Sequence, residues 1–238
     1  MLLKMDKVYF KYVEDDILEN INFCADSGEA IAILGPTGSG KTTFLLIAAG
    51  LLEPYSGEIY YKDIPLKKQL PEVRREIGLV FQDPDDQIFN STVYEEIAFT
   101  LKQLYPKEIV ETRILEVAKI FNIENILFST PYKLSVGQKR LVTFASIYAF
   151  WPKLLLLDEP TANLSSKIIR QIVNIILEYK SKGNCIILTS HDINFVVNIA
   201  DKVYALNNKK MVGGKATQIM LKDQKFLEIA DISTTNMA

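Results

Sequence analysis

Gly35-Pro36-Thr37-Gly38-Ser39-Gly40-Lys41-Thr42 is the stretch from which the rest of the chain can be read. It places glycine, lysine and threonine at every fixed position of GxxxxGK[ST], the pattern of a loop that wraps nucleotide phosphates. The apolar run Glu29 to Leu34 predicts a strand entering it, and Lys41 to Ala49 predicts a helix leaving it. Glycines let the backbone curl, so that successive N–H groups and the helix N-terminus face negative charge. Lys41 is placed to reach the β- and γ-phosphates, and the Thr42 hydroxyl to hold Mg²⁺, with Thr43 as a neighbouring nucleotide contact. Kinases, GTPases and motors share this loop, so it predicts a P-loop NTPase core without choosing among them.

Working outward, Ile77 to Phe81, Leu154 to Leu157, Cys185 to Thr189 and Val203 to Leu206 are short and continuously apolar. Such runs suit strands covered on both faces, as in a parallel sheet flanked by helices. Lys167 to Tyr179 is a candidate flanking helix. Leu3 to Phe10, Leu18 to Cys24 and Glu58 to Tyr61 alternate instead, predicting a small N-terminal antiparallel β-subdomain. Between Asp83 and Pro152 the period turns helical, over Val93 to Leu104, Lys107 to Phe121 and Gln138 to Phe150. The expected organisation is therefore one α/β domain over 1–238 with an inserted helical subdomain at 84–152.

Lys153-Leu154-Leu155-Leu156-Leu157-Asp158-Glu159-Pro160 is an apolar strand ending in two acids. Ligands of open α/β sheets bind beyond the carboxyl ends of the strands, so both acids are expected to face the phosphate loop. Asp158 fits a carboxylate acting on Mg²⁺ or its water, and Glu159 a general base for the attacking water. Leu134-Ser135-Val136-Gly137-Gln138 contains an S-x-x-Q capping box, which predicts a helix start.

Composition narrows the class. The 238 residues are 48% hydrophobic and 24% charged, with a formal net charge of -2, which argues against nucleic acid as the main partner. Cys24 and Cys185 lie in apolar runs without CxxC or metal-ligand spacing, so both are expected to be buried, inert thiols, suiting the cytoplasm. Met1 to Asp6 is no signal peptide, and no apolar run approaches the roughly 18 residues that would span a bilayer. Any service to a membrane is expected to run through another chain.

Taken together and in order, the phosphate loop, Gln82, Leu134 to Gln138, Asp158-Glu159 and His191 strongly resemble the ABC ATPases, whose signature is LSGGQ. The resemblance covers nearly the whole chain. It implies a head-to-tail dimer that sandwiches two ATP molecules, with Ser135, Gly137 and Gln138 of one subunit facing the phosphate loop of the other. It further implies that Tyr12 stacks on adenine, that Gln82 contacts Mg²⁺ and the attacking water, and that His191 senses the γ-phosphate.

Phe81-Gln82-Asp83-Pro84-Asp85-Asp86-Gln87-Ile88-Phe89 and Thr92-Val93-Tyr94-Glu95-Glu96-Ile97-Ala98-Phe99 resemble the cobalt-uptake and energy-coupling factor group, importers of vitamins and transition-metal ions. That resemblance implies an integral membrane coupling protein, a small membrane substrate-binding subunit, and a peripheral location on the cytoplasmic face of the membrane. Asp83, Asp85 and Asp86 would suit a basic coupling helix. Val136 stands where the signature has its first glycine, and Ser165 where the family usually has aspartate. Both fall at the implied interface, so a second, different ATPase subunit is the expected partner; Ser165 is also placed to cap the following helix. Other ABC importers or exporters are the nearest alternative. A DNA-repair-type ATPase is disfavoured because the interval from Lys41 to Ser135 holds no sustained heptads or cysteine pairs.

Overall fold

The computed structural model describes residues 1–232. Strands β1 (Leu3–Tyr12) and β2 (Asp15–Ala25) lead into β3 (Ala30–Leu34) and helix α1 (Lys41–Ala48). Strands β4 (Ser56–Tyr61), β5 (Ile64–Pro65) and β6 (Ile77–Val80) follow, then helices α2 (Val93–Leu104), α3 (Lys107–Phe121) and α4 (Val136–Ala149). The chain returns through β7 (Leu154–Leu157), α5 (Ser166–Ser181), β8 (Cys185–Thr189), α6 (Ile193–Ile199) and β9 (Lys202–Asn207). It continues with β10 (Lys210–Ala216), α7 (Thr217–Met220) and α8 (Gln224–Ile229).

The antiparallel strands pair in the order β2-β1-β4-β5, and the core sheet in the order β10-β9-β3-β8-β7-β6. Neighbours from β9 to β6 run parallel, while β10 turns back antiparallel on β9. The core is thus a mixed sheet rather than a purely parallel one. The polar run Asn207-Asn208-Lys209-Lys210 supplies the reversal, with Asn208 and Lys209 both at positive φ, a primed-turn geometry that suits a hairpin.

Strand alternation divides the interior in two. Ala30, Ala32, Leu34, Leu155, Leu157, Ile186 and Leu188 pack toward α2, α3, α4 and α5, whereas Ile31, Ile33, Leu154, Leu156 and Ile187 pack toward β1, β2 and α1. Every residue of β3, β7 and β8 is buried, as their unbroken apolar runs require. Burying one such side chain fully contributes about 1.5–3 kcal/mol before conformational entropy is subtracted. Helix starts follow local chemistry: Thr92 accepts from the Glu95 N–H to cap α2, and Asp192 from the Phe195 N–H to cap α6. Ser165 sits at the N-cap of α5 but its side chain accepts no capping bond there, contrary to expectation.

Parallel pairing has one consequence for everything below. The carboxyl ends of β3, β6, β7 and β8 all lie at the same end of the sheet, and each is followed by one of the chemistry-bearing segments.

Candidate functional site: a phosphate cradle at the strand ends

The loop after β3 needs its glycines for measurable reasons. Gly35 has φ +147°, and a Cβ there would lie 2.1 Å from the Leu206 carbonyl oxygen. Gly40, at φ +100°, is the N-cap of α1 and offers no side chain to the helix N–H groups. Those N–H groups are therefore available to an anion, as at other helix N-termini. Ser39 Oγ is buried with no hydrogen-bond partner among the described residues, a second sign that the cradle is built for an acceptor. Lys41 Nζ donates to the carbonyls of Gly35 (2.8 Å) and Pro36 (3.0 Å). Burial pulls the Lys41 ammonium below the ordinary lysine value, and the charges of Glu159 and Asp158 partly offset that.

The acids at the end of β7 meet this loop. Thr42 Oγ1 donates to Asp158 Oδ2 at 2.6 Å, and Thr189 Oγ1 donates to Asp158 Oδ1 at 2.5 Å. Glu159 is buried at φ +43°, in the left-handed region that costs a non-glycine residue of order 1–3 kcal/mol. Its Oε1 lies 2.8 Å from His191 Nδ1, and the His191 side chain is 68% exposed. A cleft of about 260 Å³ is lined by Ile17, Thr37, Gly38, Gly40, Lys41, Thr42, Thr43, Gln82, Asp158, Glu159 and His191. The strand ends thus gather Lys41, Thr42, Gln82, Asp158, Glu159 and His191 in one place. They also recruit Ile17 and Thr189, which sequence reasoning missed because neither belongs to a motif.

Other expected site residues lie elsewhere. Ser135, Gly137 and Gln138 are not among the residues lining that cleft. The capping box is formed: the Gln138 N–H donates to Ser135 Oγ (3.3 Å) and the Ser135 N–H to Gln138 Oε1 (3.0 Å). Val136 beside them is 57% exposed. Tyr12 also stands outside the cleft, 44% exposed, with its ring edge-on to Phe10 at 4.9 Å between centroids.

A second cleft, of about 490 Å³, joins Gln82, Asp83, Asp85 and Asp86 to Val136, Lys139 and Asn163. Its acids are only partly free. Asp83 Oδ1 accepts from the Asp85 N–H (2.9 Å), and Lys139 Nζ reaches Asp85 Oδ1 at 2.6 Å. Arg140, buried on α4, donates to the carbonyls of Phe81 (2.5 Å) and Gln82, tying that helix to the strand end after β6. Beyond it, exposed Phe89 and Phe99 meet edge to face at 4.8 Å, and Phe128, 82% exposed, stacks on Tyr94 at 6.0 Å. Of the two cysteines only Cys185 is buried, where desolvation pushes its thiol far up; Cys24 is half-buried, correcting the expectation for that residue.

Residues 18–162, more than half of the chain, match the family model described as ABC transporter. This chain belongs to the ABC transporter ATPase family. An energy-coupling factor transporter ATP-binding protein EcfA of Methanocaldococcus jannaschii is 38% identical over 242 residues, covering 100% of this chain and 87% of that protein. EcfA2 of Caldanaerobacter subterraneus is 40% identical over 222 residues, covering 89% and 78%. Among solved structures, CbiO1 of Clostridium perfringens, part of the ABC transporter complex CbiONQ, superposes with a TM-score of 0.84 at 29% identity over 99% of this chain and 96% of that one. The ATP-binding cassette MJ0796, a dimer bound to ADP and phosphate after hydrolysis, gives 0.82 at 30% identity over 90% and 98%. The protein is an ABC-type ATPase, and it resembles the ATP-binding subunits of energy-coupling factor transporters. No helix among the described residues is long and apolar enough to cross a membrane.

Proposed function

We propose that this ABC ATPase drives an energy-coupling factor importer of a vitamin or a transition-metal ion, hydrolysing ATP held between two ATPase subunits. The observation that carries the reading is the division of the site. Phosphate cradle, acids and histidine converge within one chain, while Ser135, Gly137 and Gln138 of the self-capped signature helix start lie outside their cleft. A second subunit facing the cradle with its own Ser135-equivalent helix start closes that gap, and helix N-termini suit the γ-phosphate. The dimeric state of the MJ0796 cassette supports this arrangement.

In this mechanism the cradle N–H groups, Ser39 and Lys41 bind the phosphates, and Tyr12 stacks on adenine. Thr42, Asp158 and Gln82 would hold Mg²⁺. When bound, the ion neutralises charge developing on the β- and γ-phosphates. Glu159 accepts a proton from the water that attacks the γ-phosphorus, and the bond to the β,γ-bridging oxygen breaks, releasing ADP and phosphate. His191, in contact with Glu159, orients that carboxylate and senses the γ-phosphate.

The strip from Gln82 to Asp86 and the aromatic pairs that Phe99 and Tyr94 of α2 make with Phe89 and Phe128 form the surface for the membrane coupling protein, itself bound to a small substrate-binding membrane subunit. Arg140 and Lys139 connect this surface to the signature helix. The chain is held peripherally at the cytoplasmic face by these contacts. Val136 and the uncapping Ser165 favour a different ATPase as the second subunit.

The test is recovery of tagged wild-type and Glu159→Gln chains from native membranes. Expected companions are a second ATPase, a coupling protein and a small membrane binder. The variant should bind ATP yet hydrolyse it about 10²–10⁴-fold more slowly. Two conventional permease chains would discard the importer class, undiminished hydrolysis would discard Glu159 as the base, and a stable ATP-dependent homodimer of the variant would discard the unlike partner.

A further inference from the structure

Thr189 closes β8 and is fully buried. Its place follows from register. Leu157 pairs with Leu188 in the parallel β7–β8 ladder, so the next residues, Asp158 and Thr189, stand side by side at its end, with Thr189 still paired to Ile33 of β3. The Thr189 hydroxyl then does two things at once. It donates its one proton to Asp158 Oδ1 at 2.5 Å, and it accepts the Glu159 N–H at 3.0 Å.

Both acids have further contacts: the Asp158 N–H donates to the Val80 carbonyl at 2.9 Å, and Glu159 Oε1 lies 2.8 Å from His191 Nδ1, but neither of these fixes the Asp158 carboxylate or the Glu159 N–H. Asp158 Oδ2 is held by Thr42, whose hydroxyl is the one the phosphate loop commits to the metal. The bond from Thr189 reaches the other carboxylate oxygen, so it holds the orientation of Asp158 independently of Thr42. Glu159 sits at φ +43°, a strained conformation that persists only where its surroundings enforce it. The bond from its N–H to Thr189 is such an enforcement.

We propose that Thr189 is a positioning residue for hydrolysis, its single hydroxyl setting both the metal-side carboxylate Asp158 and the backbone that aims Glu159. This rests on the reading of Asp158 and Glu159 as the hydrolytic pair.

The experiment uses the assembled transporter. Thr189→Val keeps the β-branched shape and removes the hydroxyl, while Thr189→Ser keeps the hydroxyl and removes the methyl. In the valine variant kcat should fall about 10–100-fold, the range seen when a residue orienting a metal ligand is lost. KM for ATP should stay within about threefold, because the loss falls on the chemical step. Mn²⁺ binding in the presence of a non-hydrolysable ATP analogue, read by electron paramagnetic resonance, should weaken about tenfold. Serine should restore all three to within about threefold of wild type. A valine variant with wild-type kcat and Mn²⁺ affinity overturns the proposal, and so does a serine variant as impaired as valine, since packing would then be the cause. If valine prevents folding, Thr189→Cys, a weak donor of similar size, reads the same loss. Glu159→Gln measured alongside separates the two ideas. Continued turnover there removes the base assignment, and the Mn²⁺ shift still decides for or against the hold of Thr189 on Asp158.

Discussion

The two motif-bearing helix starts of this molecule, at α1 and at α4, are built in opposite ways. The start of α1 is left open: Gly40 contributes no cap, Ser39 Oγ has no partner among the described residues, and Lys41 leans on loop carbonyls. The start of α4 is closed on itself, with Ser135 and Gln138 satisfying each other and Val136 exposed beside them. An open N-terminus invites its ligand alone. A self-capped one is stable before any ligand arrives and meets it late, when a second surface brings it close. In the proposed mechanism, this difference separates the half of the site that binds nucleotide from the half that waits for assembly.

The contrast can be broken most forcefully at Lys41. Lys41→Met removes charge-assisted bonds worth about 1.5–3 kcal/mol each, so ATP affinity of the isolated chain should drop roughly 10–100-fold by equilibrium titration. Stability should respond in the other sense. Because burial lowers the Lys41 pKa, the nucleotide-free fold binds that proton less tightly than the unfolded chain does. Stability attributable to this group therefore rises with pH between its lowered value and the ordinary lysine value. Wild type should gain on Lys41→Met as alkaline pH is approached in denaturant titrations; a gap constant with pH would show that burial of the ammonium is not felt.

A milder effect sharpens the comparison from the other side. Ser135→Ala removes a cap worth about 1 kcal/mol, visible as a small fall in stability. ATP affinity of the isolated chain should be unchanged, while turnover in the assembled transporter should fall about tenfold, the scale of one lost phosphate contact. Loss of ATP binding by the isolated chain would mean that the two helix starts are not separate in function.

The smallest effect is expected at Lys139. Its pair with Asp85 joins α4 to the strip after β6, but Asp85 is largely exposed. Lys139→Ala should cost at most about 1 kcal/mol in thermal unfolding, as for other surface pairs. A large loss of stability would show that the signature helix and that strip form one rigid unit through this contact rather than through buried Arg140.

Much of this could be read before folding was considered. The unbroken apolar runs of β3, β7 and β8 announce strands covered on both faces, because only burial tolerates such runs. The bounds of α2 and α3 coincide with the helical period of Val93 to Leu104 and Lys107 to Phe121. Other features escaped for identifiable reasons. Strand β10 was hidden because Lys210-Met211-Val212-Gly213-Gly214-Lys215-Ala216 lies at a sheet edge and needs little apolar character. Helix α5 has serine at its N-cap, yet a residue type compatible with capping does not oblige the bond to form. Cys24 sits in an apolar run but on an outer strand, so its neighbours in sequence overstate its burial.

Sequence by itself determined the chemistry of the cradle and the order of the strands' polar endings. Glycine spacing, a lysine and a hydroxyl encode phosphate binding within eight consecutive residues, since local backbone geometry suffices. Tertiary structure decided that Gln82 and His191 join the expected acids Asp158 and Glu159 in that cleft while Ser135 and Tyr12 do not. It also decided that Thr189 lies between the two acids. Those relations depend on which strands are neighbours and in what register. Such pairings are set by burying both faces of the sheet at once, a property of the whole chain and of no segment within it.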